Sequence, residues 1–411
     1  VWAHMIDFVT RTPPRRRTLL FGSAMHVWSD LYFALPVPLL PLIKEDLDLS
    51  FTEVGLLRSV FAGSSAVLQV PAGLLAETAG EFWLLILGNM WVGFGLVGMG
   101  LSPVFLVLLA ASFFGGLGGG AQHPLASSMV SRAYDTQGRS TAVGTVNFAG
   151  DLGKMAAPLV GGAIAVAFGW RTALLAIGIA GTAFMVMSAL GRRSVDGGKP
   201  PASAGRAANE SDGTTRLGGF VTLSGIGFLD SATRGAALAF LPFVMVARDM
   251  GGGQVSAMLV LLFAGGAAGK FVVGWLGDRY GTVSLIWGTK ALTAIMLVLS
   301  LVAPSPLMAP LMVALGVGLN GTSSILYATV AEFVPPNRRA RQYGFFYTTN
   351  EGGSVLAPLV YGLIADLFSL NVSIVAMGLA TAAIMPVSLS LRRHLRAVQP
   401  AATVGEHEPE F

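Results

Sequence analysis

The chain has 411 residues with 53% apolar residues, 12% charged residues, a net charge of +4 and no cysteine. Soluble domains carry about twice that charged fraction, and the mean hydropathy is +0.68, so a soluble enzyme and a disordered chain are excluded. The basic residues lie in short loops rather than along one face, which excludes a nucleic-acid-binding domain, and the lack of cysteine excludes disulfides and thiolate metal sites.

Long uncharged stretches predict membrane-spanning helices, since a bilayer span needs only about 20 mostly apolar residues. No Asp, Glu, Lys or Arg occurs at positions 82–131 or 291–331, and each stretch is long enough for two spans. Ser50 and Glu53 predict a capping box at the start of the second span. In chain order we predict twelve spans near residues 18–42, 53–77, 82–101, 103–131, 137–168, 170–191, 218–247, 253–277, 283–303, 306–333, 340–368 and 370–391.

The distribution of lysine and arginine predicts how the spans are oriented. With both termini in the cytoplasm, 18 of the 26 basic residues lie in cytoplasmic segments, 3 in outer segments and 5 within spans. Residues 192–217 are rich in small, polar and charged residues, which predicts an unstructured linker. The predicted division is a cytoplasmic segment 1–17, a six-helix bundle 18–191, the linker 192–217, a second six-helix bundle 218–391 and a cytoplasmic tail 392–411.

The two halves match each other at an offset of 200 residues. The segment Ala157–Val160 recurs as Ala357–Val360, and Asp151 in the first half matches Glu351 in the second. Several matches at one offset indicate duplication, and a duplicated six-span unit places the solute site between the halves near the bilayer midplane. We therefore predict an all-α membrane protein with twelve transmembrane helices in two pseudo-symmetric six-helix bundles.

Two loop sequences carry a resemblance to a known family. The segment 274–281 (GWLGDRYG) resembles the loop motif of the major facilitator superfamily, and the segment 73–81 (GLLAETAGE) resembles a degenerate copy with glutamate in place of aspartate. The resemblance implies the major facilitator fold and a transporter rather than an enzyme. It also implies a gating role for the motif residues Gly73, Glu77, Gly274, Asp278 and Arg279.

A narrower resemblance covers mainly the first half of the chain. The segments 26–30 (HVWSD), 122–124 (QHP) and 147–153 (NFAGDLG) are similar to segments of fosmidomycin-resistance-type transporters. This resemblance implies a proton-driven drug exporter of the bacterial inner membrane. The charges of Asp151 and Lys154 are not expected in that branch, so the resemblance does not determine the substrate.

Nine ionisable side chains lie well inside predicted spans, although a charge at the bilayer centre costs about 2.5–3.5 kcal/mol on insertion scales. Asp151 and Lys154 are one helical turn apart and share a face of their helix, and the same is true of Asp230 and Arg234. Groups of this kind must face a cavity or pair with one another. The nine are Asp30, Arg58, Asp151, Lys154, Asp230, Arg234, Lys270, Lys290 and Glu351.

Three of these charges suggest positions relative to other spans. Lys270 and Lys290 lie about two turns from the predicted cytoplasmic ends of their spans, so we expect both to extend to the interface. Arg58 lies about two turns into span 2, where it would pair with Asp30 if spans 1 and 2 are adjacent. His26 lies one turn before Asp30 and shares its face, and an imidazole there is either a proton relay or a satisfied polar group.

We predict two sets of functional residues in the spans. The proton-coupling candidates are Asp30, Asp151, Glu351 and His26, because buried carboxylates and a neighbouring imidazole can hold a proton. The substrate-binding candidates are polar groups that would face a cavity: Arg58, Lys154, Arg234, Asp230, Asn147, Asn320, Asn350 and Tyr32. The run 115–120 (GGLGGG) predicts close helix packing rather than a phosphate loop. No metal site and no cofactor are predicted.

These patterns predict a secondary active transporter whose partners are a small molecule, protons and the lipid bilayer, working as a monomer. The nine buried groups sum to +1, which favours an anionic solute. The resemblance favours proton-coupled export of a small organic, anionic or amphiphilic toxic compound by alternating access. A basic cavity with protonated acids would instead bind anion and proton together, so a symporter for a metabolite anion remains open, as does a non-transporting membrane sensor.

Overall fold

The computed structural model describes residues 13–134, 138–190, 195, 215–335 and 339–395, and these ranges contain helices and no β-strand. The first half forms six spans: span 1 (Pro14–Ala34 and Pro36–Asp46), span 2 (Phe51–Val67 and Gln69–Ala79), span 3 (Glu81–Gly100), span 4 (Phe105–Leu117 and Gln122–Ala133), span 5 (Arg139–Ala156 and Gly162–Phe168) and span 6 (Trp170–Leu190). The second half forms span 7 (Leu217–Val246), span 8 (Gly252–Tyr280), span 9 (Thr282–Leu299), span 10 (Met308–Phe333), span 11 (Arg339–Leu367) and span 12 (Leu370–Arg392). Most of the predicted linker and both predicted terminal segments lie outside the described residues.

Local sequence explains where several helices begin and bend. Span 1 is interrupted before Pro36, because proline has no N–H to continue the helix and its ring clashes with the preceding turn. Span 5 contains a π-helical turn at Ala157–Gly161, which includes Pro158. Span 2 begins with the predicted capping box, in which the Glu53 amide donates to the Ser50 hydroxyl at 3.1 Å.

Eleven helices in the described ranges are long and apolar enough to cross a bilayer. Span 11 has 29 residues, or about 43 Å at 1.5 Å per residue, so it is also long enough to cross. Its middle carries the polar run 348–351 (TTNE), and it packs against spans 2 and 7. The protein is therefore a multi-pass membrane protein whose described residues form twelve spans, as predicted, and Asn350 in the middle of span 11 is buried among other helices.

Equivalent spans pack in the same way in the two halves. Span 1 packs on span 5, span 2 on span 4 and span 3 on span 6, and the corresponding pairs in the second half are 7 with 11, 8 with 10 and 9 with 12. Glycines set the closest approaches: a Cβ atom at Gly153 would overlap the carbonyl of Val27, and one at Gly353 would overlap the carbonyl of Phe228. The two bundles are thus pseudo-symmetric in packing as well as in sequence.

The glycine-rich run in span 4 packs closely against neighbouring helices, as predicted. A Cβ atom at Gly115 would meet the backbone of Gly95 in span 3, and one at Gly116 would overlap the carbonyl of Phe61 in span 2. Small residues allow such close approach of helix backbones. The run therefore has a packing role, and the phosphate-loop alternative does not apply.

The two bundles contact each other at one end of the molecule. We call this end the distal face, because it lies opposite the ends of the bundles that hold Pro14 and Arg392, which form the terminal face. Near the distal face, Gly55 of span 2 packs on the carbonyl of Pro358 in span 11. Val166 at the end of span 5 lies 2.9 Å from the Cβ position of Gly252 at the start of span 8.

A carboxylate also joins the bundles at the distal face. Asp366, at the end of span 11, accepts hydrogen bonds from the backbone amides of Phe51 at 2.8 Å and Thr52 at 2.7 Å. The Thr52 hydroxyl donates to the same carboxylate at 2.5 Å. The first amides of a helix have no partner within the helix, so Asp366 caps span 2 from the opposite bundle. We call this contact the Asp366 clasp.

The bundles separate towards the terminal face. A Cβ atom added at Gly73 of span 2, Gly144 of span 5 or Gly344 of span 11 would meet open space. These three spans are the same ones that join the bundles near the distal face. The close approaches of spans 2, 5 and 11 to the opposite bundle that are described above thus lie near the distal face, and these three glycines of the terminal half make no such approach.

Candidate functional site

Four alternating charges form a continuous row from the interior of the first bundle to the second bundle. The Lys154 ammonium lies 3.0 Å from Asp30 Oδ2 and 3.2 Å from Asp151 Oδ1. The Lys270 ammonium, from span 8, lies 2.6 Å and 2.8 Å from the two oxygens of Asp151. We call these four residues the charged row. It lies at mid-depth, between the closed distal half and the open terminal half.

Two features of the first bundle shape the inner end of the row. Asp30 is only 2% exposed, and His26 Nε2 lies 3.7 Å from its Oδ2 atom, so the predicted neighbours are together. Gly150 of span 5 packs directly on both side chains, and a Cβ atom there would overlap them. The glycine in the segment 147–153 therefore provides the space in which the carboxylate and the imidazole are held.

The predictions for Lys270 and Lys290 were wrong. Neither side chain extends to the interface: Lys270 binds Asp151 across the gap between the bundles, and Lys290 is fully buried in an ion pair with Asp230. In each case a carboxylate of another helix compensates the ammonium, so the side chain does not have to reach water. Position along a span gave the depth of each lysine but not the helix that it faces.

Opposite charges on spans 2 and 11 attract each other across the two bundles without forming a direct ion pair. Arg58 donates to the carbonyl of Phe33 at 3.0 Å, and Glu351 is the carboxylate that acts on it electrostatically. Asp30 binds Lys154 instead, so the structure does not form the suggested pair between Asp30 and Arg58. Asp151 and Glu351 match at the 200-residue offset, and each interacts with a basic residue of the other bundle. Asp151 pairs with Lys270, and Glu351 attracts Arg58.

The second bundle has its own buried charge cluster. Asp230 matches Asp30 at the same offset, is 2% exposed, and pairs with Lys290 of span 9. As predicted from their spacing, Arg234 lies near Asp230, at 3.7 Å, and it also donates to Ser231 at 3.0 Å. Lys290 has no exposed surface, whereas Lys154, the partner of Asp30, is 33% exposed.

The uncharged candidates occupy different environments. Asn350 is buried and packs against Gly227 of span 7, and Asn147 is exposed on span 5. Asn320 is half-buried and packs on span 8. Tyr32 is fully buried, with its phenol packed between spans 3 and 6 inside the first bundle, so it does not lie beside the charged row.

A family model described as the Major Facilitator Superfamily matches residues 20–219 and 223–409 of the chain. The chain belongs to the major facilitator superfamily. Members of this superfamily are transporters rather than enzymes. Among the residues that the structure describes, no cluster of His, Asp and Glu could hold a metal ion.

Several characterised proteins are similar along most of their length. An MFS-type efflux pump of Mycolicibacterium smegmatis is 27% identical over 392 residues, covering 91% of this chain and 90% of the pump. The fosmidomycin resistance protein of Escherichia coli is 25% identical over 84% of this chain and 85% of that protein. A hexuronate transporter of Bacillus subtilis is 25% identical over 90% of this chain and 93% of that protein. A bacterial homologue of the human lysosomal transporter Spinster, solved in an inward-facing, unoccupied conformation, superposes with a TM-score of 0.81 at 18% identity, over 94% of this chain and all of that one.

The first copy of the superfamily loop motif has an ion pair that the sequence analysis missed. Gly73 lies on the exposed end of span 2, and the side chain of Glu77 falls outside the described side chains. Glu81, four residues later, is 2% exposed and forms an ion pair with Arg132 of span 4. A buried acid at the start of a span, facing a basic residue at the end of another, is the signal that would have indicated this pair.

The second copy of the motif lies at the terminal end of span 8. Gly274 is in ordinary contact with span 10, and the side chain of Asp278 falls outside the described side chains. The Arg279 guanidinium lies 4.4 Å from the centre of the Trp275 ring, a favourable cation–π arrangement. Its contact is therefore local to the helix that carries it.

Proposed function

We propose that this transporter couples proton movement to the export of a small organic anion by alternating access. One observation carries the proposal: Asp151 is held between Lys154 of its own bundle and Lys270 of the other bundle at mid-depth. Rocking of the two bundles changes the distance between spans 5 and 8, so this ion pair must break during the cycle. Protonation of Asp151 removes its charge and thereby favours that step.

Asp30 and Asp151 are the proposed proton carriers, with Glu351 and His26 in supporting positions. Lys154 contacts both Asp30 and Asp151, so neutralising one carboxylate leaves the ammonium free to turn to the other. A proton on Asp30 can therefore enter the row without leaving Lys154 uncompensated, whereas a proton on Asp151 leaves the partly exposed Lys270 without its carboxylate. His26, at 3.7 Å from Asp30, is placed to exchange a proton with it.

Anionic solute and outward direction are supported by different observations. Lys154 and Arg234 have side chains 33% and 21% exposed, so the open space between the bundles reaches both cations. A relative named for hexuronate transport acts on an organic acid, whereas relatives named for efflux and fosmidomycin resistance support export. The excess of basic residues on the terminal face supports a cytoplasmic location for that face in a bacterial inner membrane.

Reconstituted vesicles test the proposal. A pH gradient across proteoliposomes that contain the purified chain is expected to drive accumulation of an anionic solute from a screen, with counterflow of protons read by an internal pH dye. Asp30→Asn and Asp151→Asn are expected to reduce pH-driven flux at least tenfold, while Asp46→Asn, an exposed acid paired with Arg171, serves as the matched control. Wild-type flux in both variants would contradict proton coupling through the row.

Proton symport of a metabolite anion is the second candidate, and the charged row itself favours it. An anion can bind the lysines only when Asp151 releases them, and Asp151 releases them when it is protonated. Anion and proton would then bind together, as a symporter requires. The sign of the proton movement decides: protons that move in the same direction as the solute indicate symport, and protons that move in the opposite direction indicate export by antiport.

A further inference from the structure

We propose that Lys154 and Lys270 together form the anion-binding site of this transporter, and that the Asp151 carboxylate occupies this site in place of the substrate's acid group. The inference rests on the proposed function in one respect, namely that the solute is an anion, and its joint binding of anion and proton follows the symport candidate rather than antiport. It adds Lys270 as a substrate-binding residue and defines the ligand as a small organic monoanion with one carboxylate group, with a tetrahedral phosphonate as a comparison.

The contacts of Asp151 are those of a bound anion. Its Oδ1 atom lies 3.2 Å from the Lys154 ammonium and 2.6 Å from the Lys270 ammonium, and its Oδ2 atom lies 2.8 Å from the Lys270 ammonium. Two cations thus converge on one planar group of two oxygens. A substrate carboxylate has the same shape and charge, so it can take the same positions.

The two lysines are accessible, whereas the carboxylate is not. The side chains of Lys154 and Lys270 are 33% and 32% exposed, and that of Asp151 is 10% exposed. Both lysines lie where spans 5 and 8 of opposite bundles meet. A solute that reaches this junction therefore meets the ammonium groups before the carboxylate and has to replace Asp151.

Charge balance explains why replacement requires a proton. The charged row contains two acids and two bases, so it is neutral while both carboxylates are ionised, and His26 is the other titratable group beside it. An anion that enters the neutral row adds an uncompensated charge in a partly buried place, which is unfavourable. When Asp151 is protonated the row carries one positive charge, and one monoanion restores neutrality. The affinity for a monoanion is therefore expected to rise as the pH falls.

The origin of the lysines connects binding to the conformational cycle. Lys154 belongs to the first bundle and Lys270 to the second, so an anion between them joins the bundles just as Asp151 does. The substrate therefore replaces an existing connection rather than adding one. The transporter can change conformation with either occupant, but it is not left with two unneutralised lysines at the interface.

Binding to the purified full-length protein tests the inference. The probes are glucuronate, benzoate and methylphosphonate, with glucose as the uncharged control, and binding is measured by calorimetry at pH 6 and pH 8. Asp151→Asn keeps the side-chain shape and removes the charge that competes with an anion for the two lysines, so it is expected to bind at least one anionic probe about tenfold more tightly than the wild type at pH 8 and to lose the pH dependence. Lys270→Gln and Lys154→Gln are expected to weaken binding at least tenfold, whereas Lys44→Gln, outside the row, is expected to leave it unchanged.

Three results would overturn the inference. They are weaker anion binding in Asp151→Asn, unchanged binding in Lys270→Gln, and the absence of binding of all three anions to Asp151→Asn.

The double variant Asp151→Asn with Lys270→Gln controls for misfolding. It restores the charge balance of the row, so it is expected to fold and yet to lose the gain in anion affinity. Proton-coupled flux in wild-type vesicles with binding that does not depend on Lys270 would reject this site and retain the proposed function. Tighter anion binding in Asp151→Asn without proton-coupled flux in the wild type would support this site and reject the proposed proton coupling.

Discussion

Removing the charge of the Asp366 clasp is expected to open the distal face. The Asp366 carboxylate accepts two backbone hydrogen bonds and one hydroxyl hydrogen bond from the first turn of span 2, where the helix dipole also favours a negative charge. Hydrogen bonds to a charged group contribute about 1.5–3 kcal/mol each, but Asp366 is exposed and an amide would keep part of the bonding. Allowing for solvent screening, Asp366→Asn should weaken the closed state by about 1–2 kcal/mol, a factor of about 5–30 in the closed-to-open ratio.

Cysteine labelling measures this change without background, because the chain contains no native cysteine. Ser256 lies 8% exposed near the distal face and packs against Gly162 of the other bundle, so Ser256→Cys is protected while this face is closed. The rate of labelling by an impermeant maleimide is expected to rise about 5–30-fold with Asp366→Asn. Asp46→Asn removes an acid at the same face that pairs with Arg171 inside the first bundle and is the control. Equal labelling rates in wild type and Asp366→Asn would refute the clasp.

Two further predictions concern the interiors of the bundles. Gly150→Ala places a methyl group against the Asp30 carboxylate and should reduce pH-driven flux in vesicles at least tenfold. The control Gly144→Ala adds a methyl group in open space and should keep wild-type flux. Equal losses of flux in the two variants would indicate a general effect on the helix. Lys290→Met leaves Asp230 buried without its ammonium partner and should destabilise the fold by about 3–5 kcal/mol, visible as a lower melting temperature. Adding Asp230→Leu to that variant should recover most of the loss, and a failure to recover would contradict the pairing.

The sequence predicted contacts within a span better than contacts between spans. The neighbours Asp151 and Lys154 were predicted because helical periodicity places residues three and four apart on one face. The partner of Lys270 was not predicted, because hydropathy gives the depth of a residue and not the helix that it faces. Duplication gave the matching positions of Asp151 and Glu351, but the opposing bases on spans 8 and 2 required the packing of the bundles.

The loop motif shows the same boundary between local and non-local information. Its first copy resembles a degenerate motif in sequence, because Glu77 stands in place of aspartate and no basic residue follows it in the segment 73–81. The structure pairs Glu81 with Arg132, 51 residues later. A basic residue that comes from another span cannot be recognised in a local sequence motif. The motif alone therefore did not predict the ion pair between Glu81 of span 3 and Arg132 of span 4.

The duplicated acids Asp30 and Asp230 explain why coupling is proposed for the first bundle alone. Each is 2% exposed in the first span of its bundle, yet the bases that neutralise them come from different places. The position that matches Lys154 holds Ser354, and the position that matches Lys290 holds Met90. Asp230 thus pairs with the fully buried Lys290 and with Arg234, both of its own bundle, whereas Asp30 shares a lysine that connects through Asp151 to the other bundle. Only the second arrangement gives a proton a route that depends on the relative position of the bundles, so Asp30→Asn should remove coupling while Asp230→Asn should chiefly lower the melting temperature.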